Sequence, residues 1–188
     1  LYTLRPDRYR ELVELHGTSE LLAYADGPLL GSLSEELLSM GAAIVGLKLG
    51  EFGFYLRTTA DAGRLGGMGA CTPAEEKLAK WLDRELLAPC YEVEVAGTTG
   101  AGDCTIAGFL GGLLRGLDPE DALLAAVGAG ACNVERADAV SGVRSWDEIR
   151  ARIASGWRPS ERVPSLPGWS RVSEGGSGSG IREKRRST

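Results

Sequence analysis

The sequence predicts a layered α/β domain in which part of the sheet is missing. Three observations carry that prediction. Apolar residues recur at helical spacing over about 6–15 and 28–40, and again at Ile149 and Ile153. Between these segments, residues 42–49 (AAIVGLKL) form a near-continuous apolar run of strand length, and residues 91–95 (YEVEV) alternate as a strand does. The two long segments that follow are rich in Gly and Ala, which suits helices packed closely against a neighbour.

The elements follow in order. Pro6 suits a first helical position, and Tyr9, Leu12, Val13 and Leu15 give the segment from Pro6 to Leu15 an apolar face. A second helix spans about 28–40, with Leu29, Leu30, Leu33, Leu37 and Met40 in register and Gly41 as its stop. The run 42–49 then reads as a strand buried on both faces of a parallel sheet. The turn Gly50-Glu51-Phe52-Gly53 and the segment from Phe54 to Thr58 complete a hairpin. Residues 81–87 read as a short helix or turn stopped by Pro89, and 91–95 as the third strand. Helices follow over about 104–115 and 119–134. The second of these opens at Asp118-Pro119, an N-cap followed by proline. Ser145-Trp146-Asp147-Glu148 is a capping box that announces the last helix. Residues 1–158 thus read as one folded unit. Residues 159–188, with three prolines, GGSGSG and a basic end, read as a flexible tail.

Composition removes several function classes. Apolar stretches reach about eight residues, whereas a membrane span needs about 20. A net charge of −5 without a Lys/Arg cluster in the folded unit argues against a nucleic-acid partner. His16 is the sole histidine, which excludes multi-histidine zinc sites. Cys71, Cys90, Cys104 and Cys132 are scattered without a C-x-x-C pair, as expected of reduced thiols in a cytoplasmic protein.

The sharpest local signal is GTTGAGDCTIAGFLGGLLRG at 97–116. A strand feeds a glycine-rich turn that opens a helix. The first helical N–H groups have no internal partner, and the helix dipole makes that end positive. Gly100, Ala101 and Gly102 can therefore cradle an anion. A carboxylate at Asp103 would repel a phosphate if it served binding alone; as a base on an incoming hydroxyl it has a purpose. The competing reading is a plain turn with Asp103 as helix cap. No Walker A sequence occurs, and Thr105 stands where a dinucleotide fingerprint needs its third glycine.

These residues resemble the ribokinase/PfkB carbohydrate kinases, whose second signature is usually written DTTGAGD. LKLGEFGFYL (47–56) resembles the family's strand–turn–strand beside the nucleotide phosphates, and ACNVERADAVSGV (131–143) its segment near the adenine and the monovalent cation. The resemblance covers about 42–150. It implies a ribokinase-like three-layer α/β/α sandwich, here as its C-terminal portion only, because the GG-x-x-x-N signature, the lid and N-x-x-E do not occur. The chain accordingly reads as one cut at its start and inactive alone. The implied reaction is phosphorylation, by ATP with Mg2+, of a hydroxyl on a small sugar or nucleoside. Asp103 would be the general base and Gly100, Ala101 and Gly102 the anion hole. Lys48, Gly50 and Gly53 would face the nucleotide phosphates, with a solvated strand-end role open for Lys48. Gly128, Cys132 and Asn133 would flank the adenine, core packing being the competing role for Cys132. Asp138 and Ser141 would lie in the cation loop or in plain solvent. Gly97 replaces the family's first Asp, so a monovalent cation is in doubt, with Thr99 left as a partial ligand. A homodimer is compatible with the reading. A non-catalytic nucleotide-binding fragment that associates with another chain is the alternative; a dinucleotide-binding oxidoreductase is disfavoured by Thr105.

Overall fold

The computed structural model describes residues 4–172 and 180–184. In chain order the elements are α1 (Pro6–His16), α2 (Gly27–Ser39), β1 (Ile44–Lys48), β2 (Phe54–Thr58), α3 (Ala62–Gly66), α4 (Glu75–Trp81), β3 (Glu85–Ala88), α5 (Ala101–Leu114), α6 (Pro119–Val134), α7 (Trp146–Ala154), β4 (Trp169–Arg171) and β5 (Arg182–Lys184). One sheet in the order β1-β2-β3-β5-β4 separates α2 from α5 and α6. The layers are α/β/α.

Alternation along the middle strands builds both faces. Phe54, Leu56, Leu86 and Ala88 point into a core closed by Phe109, Leu113, Leu123 and Val127 of α5 and α6. Tyr55 and Leu87 point the other way, onto Leu30 of α2 and Leu49. α5 and α6 approach closely because their interior positions are small. A Cβ on Gly108 would lie 2.7 Å from Ala125 O, and one on Gly112 would lie 3.0 Å from Ala122 Cα.

Three expectations are corrected. Every strand pair among the described residues is antiparallel, not parallel. The tight turn at 50–53 forces β1 and β2 to run in opposite directions, and β3 follows suit. β1 lies at the edge of this sheet with only Val45 buried, so its apolar run does not report two covered faces here. The third strand is 85–88, not 91–95: Glu85, Leu86, Leu87 and Ala88 are all buried between the two layers, and that tertiary burial overrides the local preference. Of 91–95, only Tyr91 makes a bridge, with Pro159.

The stretch read as a tail carries structure where it is described. Ser160 N donates to Cys90 O (2.7 Å), and Glu92 N donates to Arg158 O (2.9 Å). Val163, Leu166 and Trp169 cover the Tyr55 face. β5 pairs with β3, and Ile181 is fully buried. Glu85 ties the strap down, accepting from Tyr55 Oη at 3.1 Å and pairing with Lys184 at 3.2 Å. The glycine–serine run up to 179 and residues 185–188 lie outside the described residues. Among the described residues no helix is long and apolar enough to cross a membrane.

Candidate phosphate-binding and active site

The site begins where β1 ends. Lys48 is its last residue, exposed, and the chain then turns through 49–53, closed by Leu49 N donating to Gly53 O at 2.9 Å. Gly53 has φ 104°, and a Cβ there would lie 2.0 Å from Ala88 O. Only glycine lets this turn pass the end of β3.

The second part is the start of α5. Gly100 is its N-cap, with φ 77°. No side chain caps the helix, which corrects the reading of Asp103 as a cap. Backbone N–H groups at this end therefore point outward without helical partners.

Folding brings the two parts together. The Lys48 side chain lies over Gly102, and a Cβ on Gly102 would be 2.7 Å from Lys48 Nζ. Among the described residues no acidic side chain pairs with Lys48. An ammonium set against a positive helix terminus is repulsive unless an anion lies between them. Both face a cavity of about 610 Å³, along with Gly50 and Gly53. Thr105 continues the α5 wall, and its Oγ1 donates to Ala101 O at 2.8 Å. Val127, Gly130, Ala131 and Val134 give the α6 side of the cavity an apolar lining suited to a flat ring. A Cβ on Gly130 would lie 2.3 Å from Thr105 Oγ1, so Gly130 is what admits Thr105.

The expected residues divide into two groups. Lys48, Gly50, Gly53, Ala101 and Gly102 share the cavity. Asp103 is exposed beside it, in the same helical turn but outside the cavity wall. Thr99 is exposed on the turn. Gly128 faces away, with Ile149 Cγ2 2.9 Å from where its Cβ would be. Asn133 is fully buried and donates from Nδ2 to Ala139 O at 2.9 Å, outside the cavity wall. Cys132 is buried, which pushes its thiol up. Asp138 caps Val140 N (2.9 Å) and Ser141 N (2.8 Å) and accepts from Ser141 Oγ. These bonds, that from the Ser141 hydroxyl first, hold its carboxyl down at about 2.

The donor set does not fit a monovalent cation beside Gly97. A Cβ at Gly97 would lie 2.8 Å from Ala137 O and 2.9 Å from Ala137 Cα, so backbone fills the place of the missing side chain. Nor do the described residues gather three His, Cys, Asp or Glu that could hold a metal.

Sequence reasoning missed Cys90, Tyr91, Ser160 and Arg162, all in the cavity wall. Cys90 Sγ donates to Gly50 O at 3.3 Å, and Arg162 pairs with Glu51 at 2.5 Å. No local pattern marks Ser160 or Arg162, because they reach the cavity only when the strap folds back.

Comparison with known proteins agrees with this architecture. Residues 74–146 match the family described as pfkB family carbohydrate kinase. No curated protein sequence matches the chain. Among solved structures it is similar to a Clostridium perfringens protein described as a sugar kinase, with 18% identity and a TM-score of 0.54, over 78% of this chain and 38% of the other. A ribokinase from Thermotoga maritima shows 22% identity and a TM-score of 0.48 over 72% of this chain and 44% of its own. Aminoimidazole riboside kinase from Salmonella enterica shows 22% identity and a TM-score of 0.48 over 78% and 40%. The chain spans about two fifths of the length of these proteins. The first likeness shows a ribokinase-like fold, and the segment that matches the pfkB carbohydrate kinase family, residues 74–146, contains the 97–103 turn, α5, α6 and the loop behind them.

Proposed function

We propose that this chain forms the nucleotide-binding and phosphoryl-transfer side of an ATP-dependent kinase acting on a hydroxyl of a small sugar or nucleoside, in the cytoplasm. The observation that carries the proposal is the Lys48 ammonium set over the uncapped start of α5, inside a cavity whose α6 side is apolar. Two positive groups facing one space suit a phosphate chain, and the apolar side suits a base.

The residues take the following parts. Lys48 and the N–H groups of the first turn of α5 hold the terminal phosphate and meet the charge that spreads over its oxygens. Asp103 takes the proton from the substrate hydroxyl; the oxygen bonds to the γ-phosphorus, and the bond to the β-phosphate bridging oxygen breaks to release ADP. Magnesium would come with the nucleotide and neutralise its phosphates. Thr105 and the α6 wall shape the apolar side and keep water from it.

Nucleotide binding tests the proposal. A fluorescent ATP analogue should bind the chain, and Lys48→Ala should weaken it by about tenfold, or ~1.4 kcal/mol. In a form that turns over, Asp103→Asn should lower kcat by about 10²–10⁴-fold with binding nearly unchanged. Near-normal turnover of that variant would refute the assigned base. Turnover by these residues alone is not expected, since Asp103 stands exposed to water. That exposure also favours the second reading, a binding module that needs another chain. Saturable binding without turnover under any acceptor would support it.

A further inference from the structure

We infer that the anion-binding turn at 97–100 is braced by the backbone of the 137–142 loop, which fills the place a side chain at Gly97 would take, so that this chain binds phosphate without a monovalent cation. The inference rests on the anion-site reading above and says how that site is held.

Three glycines make the brace. The Gly97 Cβ position is filled by Ala137 O, Cα and C at 2.8, 2.9 and 3.1 Å. A Cβ on Gly100 would lie 2.6 Å from Ala139 O. One on Gly142 would lie 2.6 Å from both Asn133 Cα and Cys132 O. All of these obstacles include backbone, which cannot swing aside as a side-chain tip can. The turn, the loop and the end of α6 are therefore packed main chain to main chain.

Hydrogen bonds lock the same three pieces. Ala96 N and Gly97 N both donate to Val134 O, at 2.8 and 3.2 Å. Asn133 Nδ2 donates to Ala139 O, the same oxygen that faces Gly100. Asp138 closes the loop on itself through Val140 N and Ser141 N. A potassium ion needs a shell of oxygens turned toward it. Here Ala139 O is engaged by Asn133, and Ala137 O lies against Gly97. The turn is ordered by covalent and packed neighbours, and no ion has to be recruited before phosphate can bind.

The test compares salts. Binding of the fluorescent ATP analogue is measured in potassium, sodium and tetramethylammonium chloride at equal ionic strength, and thermal unfolding is followed in the same salts without nucleotide. The expected result is one dissociation constant within about twofold in all three, and one melting temperature. Gly97→Asp should weaken binding by about tenfold or more in every salt, and Gly97→Ala should do so to a smaller degree. Tighter binding or a higher melting temperature with potassium alone, saturating with its concentration, would overturn the inference. So would a Gly97→Asp variant that binds better with potassium. If Gly97→Asp does not fold, the native chain in the three salts still decides the matter. If no nucleotide binds in any salt, the anion-site reading falls. The melting temperatures then judge the brace alone: equal values support it, and a potassium-specific rise overturns it.

Discussion

Lys48 and Gly102 are in direct contact: the lysine ammonium lies 2.7 Å from the point where a Cβ on Gly102 would be. The obstacle is the far end of a flexible side chain, so Gly102→Ala should fold. Alanine in a helix is worth up to about 1 kcal/mol over glycine. The added methyl must push Lys48 off the start of α5. We predict an unchanged or higher melting temperature together with weaker binding of ATP or inorganic phosphate. Loss of stability without loss of binding would show that Lys48 does not serve the anion.

Gly53→Ala should behave in the opposite way. Its Cβ would lie 2.0 Å from Ala88 O, at φ 104°. Backbone strain of this kind costs about 1–3 kcal/mol, and forced overpacking adds a similar amount. The variant should lose roughly 3 kcal/mol in urea unfolding, and the turn beside Lys48 should shift with it. A loss below about 1 kcal/mol would mean that β3 can yield at Ala88.

The Asp138 carboxyl titrates at about 2, below the usual carboxylate range, because the Ser141 hydroxyl and two backbone N–H groups hold its charged form. A depressed carboxyl contributes stability above its unfolded value, about 3.9, and loses it as pH falls through the folded value. The loop cap should therefore be intact from neutral pH down to about 4 and be lost between there and about 2. Amide shifts of Val140 and Ser141 report it. A transition at pH 5 or above, which is about one unit over an ordinary carboxyl, would contradict the cap.

Cys90 lies in the cavity wall, and burial pushes its thiol up, with Glu51 adding to the effect. The thiolate is the reactive form, so alkylation at pH 7.5 should be slower than for a free thiol of pKa about 8.5, and should rise as the pH is raised. Bound nucleotide should slow it further by covering the wall. Labelling that nucleotide leaves unchanged, followed by mass spectrometry of the Cys90 peptide, would place the ligand elsewhere.

Much of the local structure is legible in the residues. The Asp118-Pro119 start and the Ser145–Glu148 capping box sit at the starts of α6 and α7, the latter with both of its hydrogen bonds formed. The glycine turn at 97–102 opens α5 as its composition implies. The third strand lies elsewhere than expected, because Glu85–Ala88 becomes a strand only when α5 and α6 cover one of its faces and Leu30 of α2 with the strap covers the other. The strap was missed for a related reason. Val163, Leu166, Trp169 and Ile181 are too sparse to show a period, and they are ordered by the surfaces they meet.

The sequence by itself determined where helices start, which turns require glycine, and which turn leaves helical N–H groups unpaired, because caps, positive φ and unpaired N–H groups are properties of a few consecutive residues. The tertiary structure decided the antiparallel order of the strands, the contact of Lys48 with Gly102, the closure of the space at Gly97 by Ala137, and the arrival of Ser160 and Arg162 at the cavity. Each of these depends on segments distant in the chain, which meet only when burial of the two sheet faces holds them together.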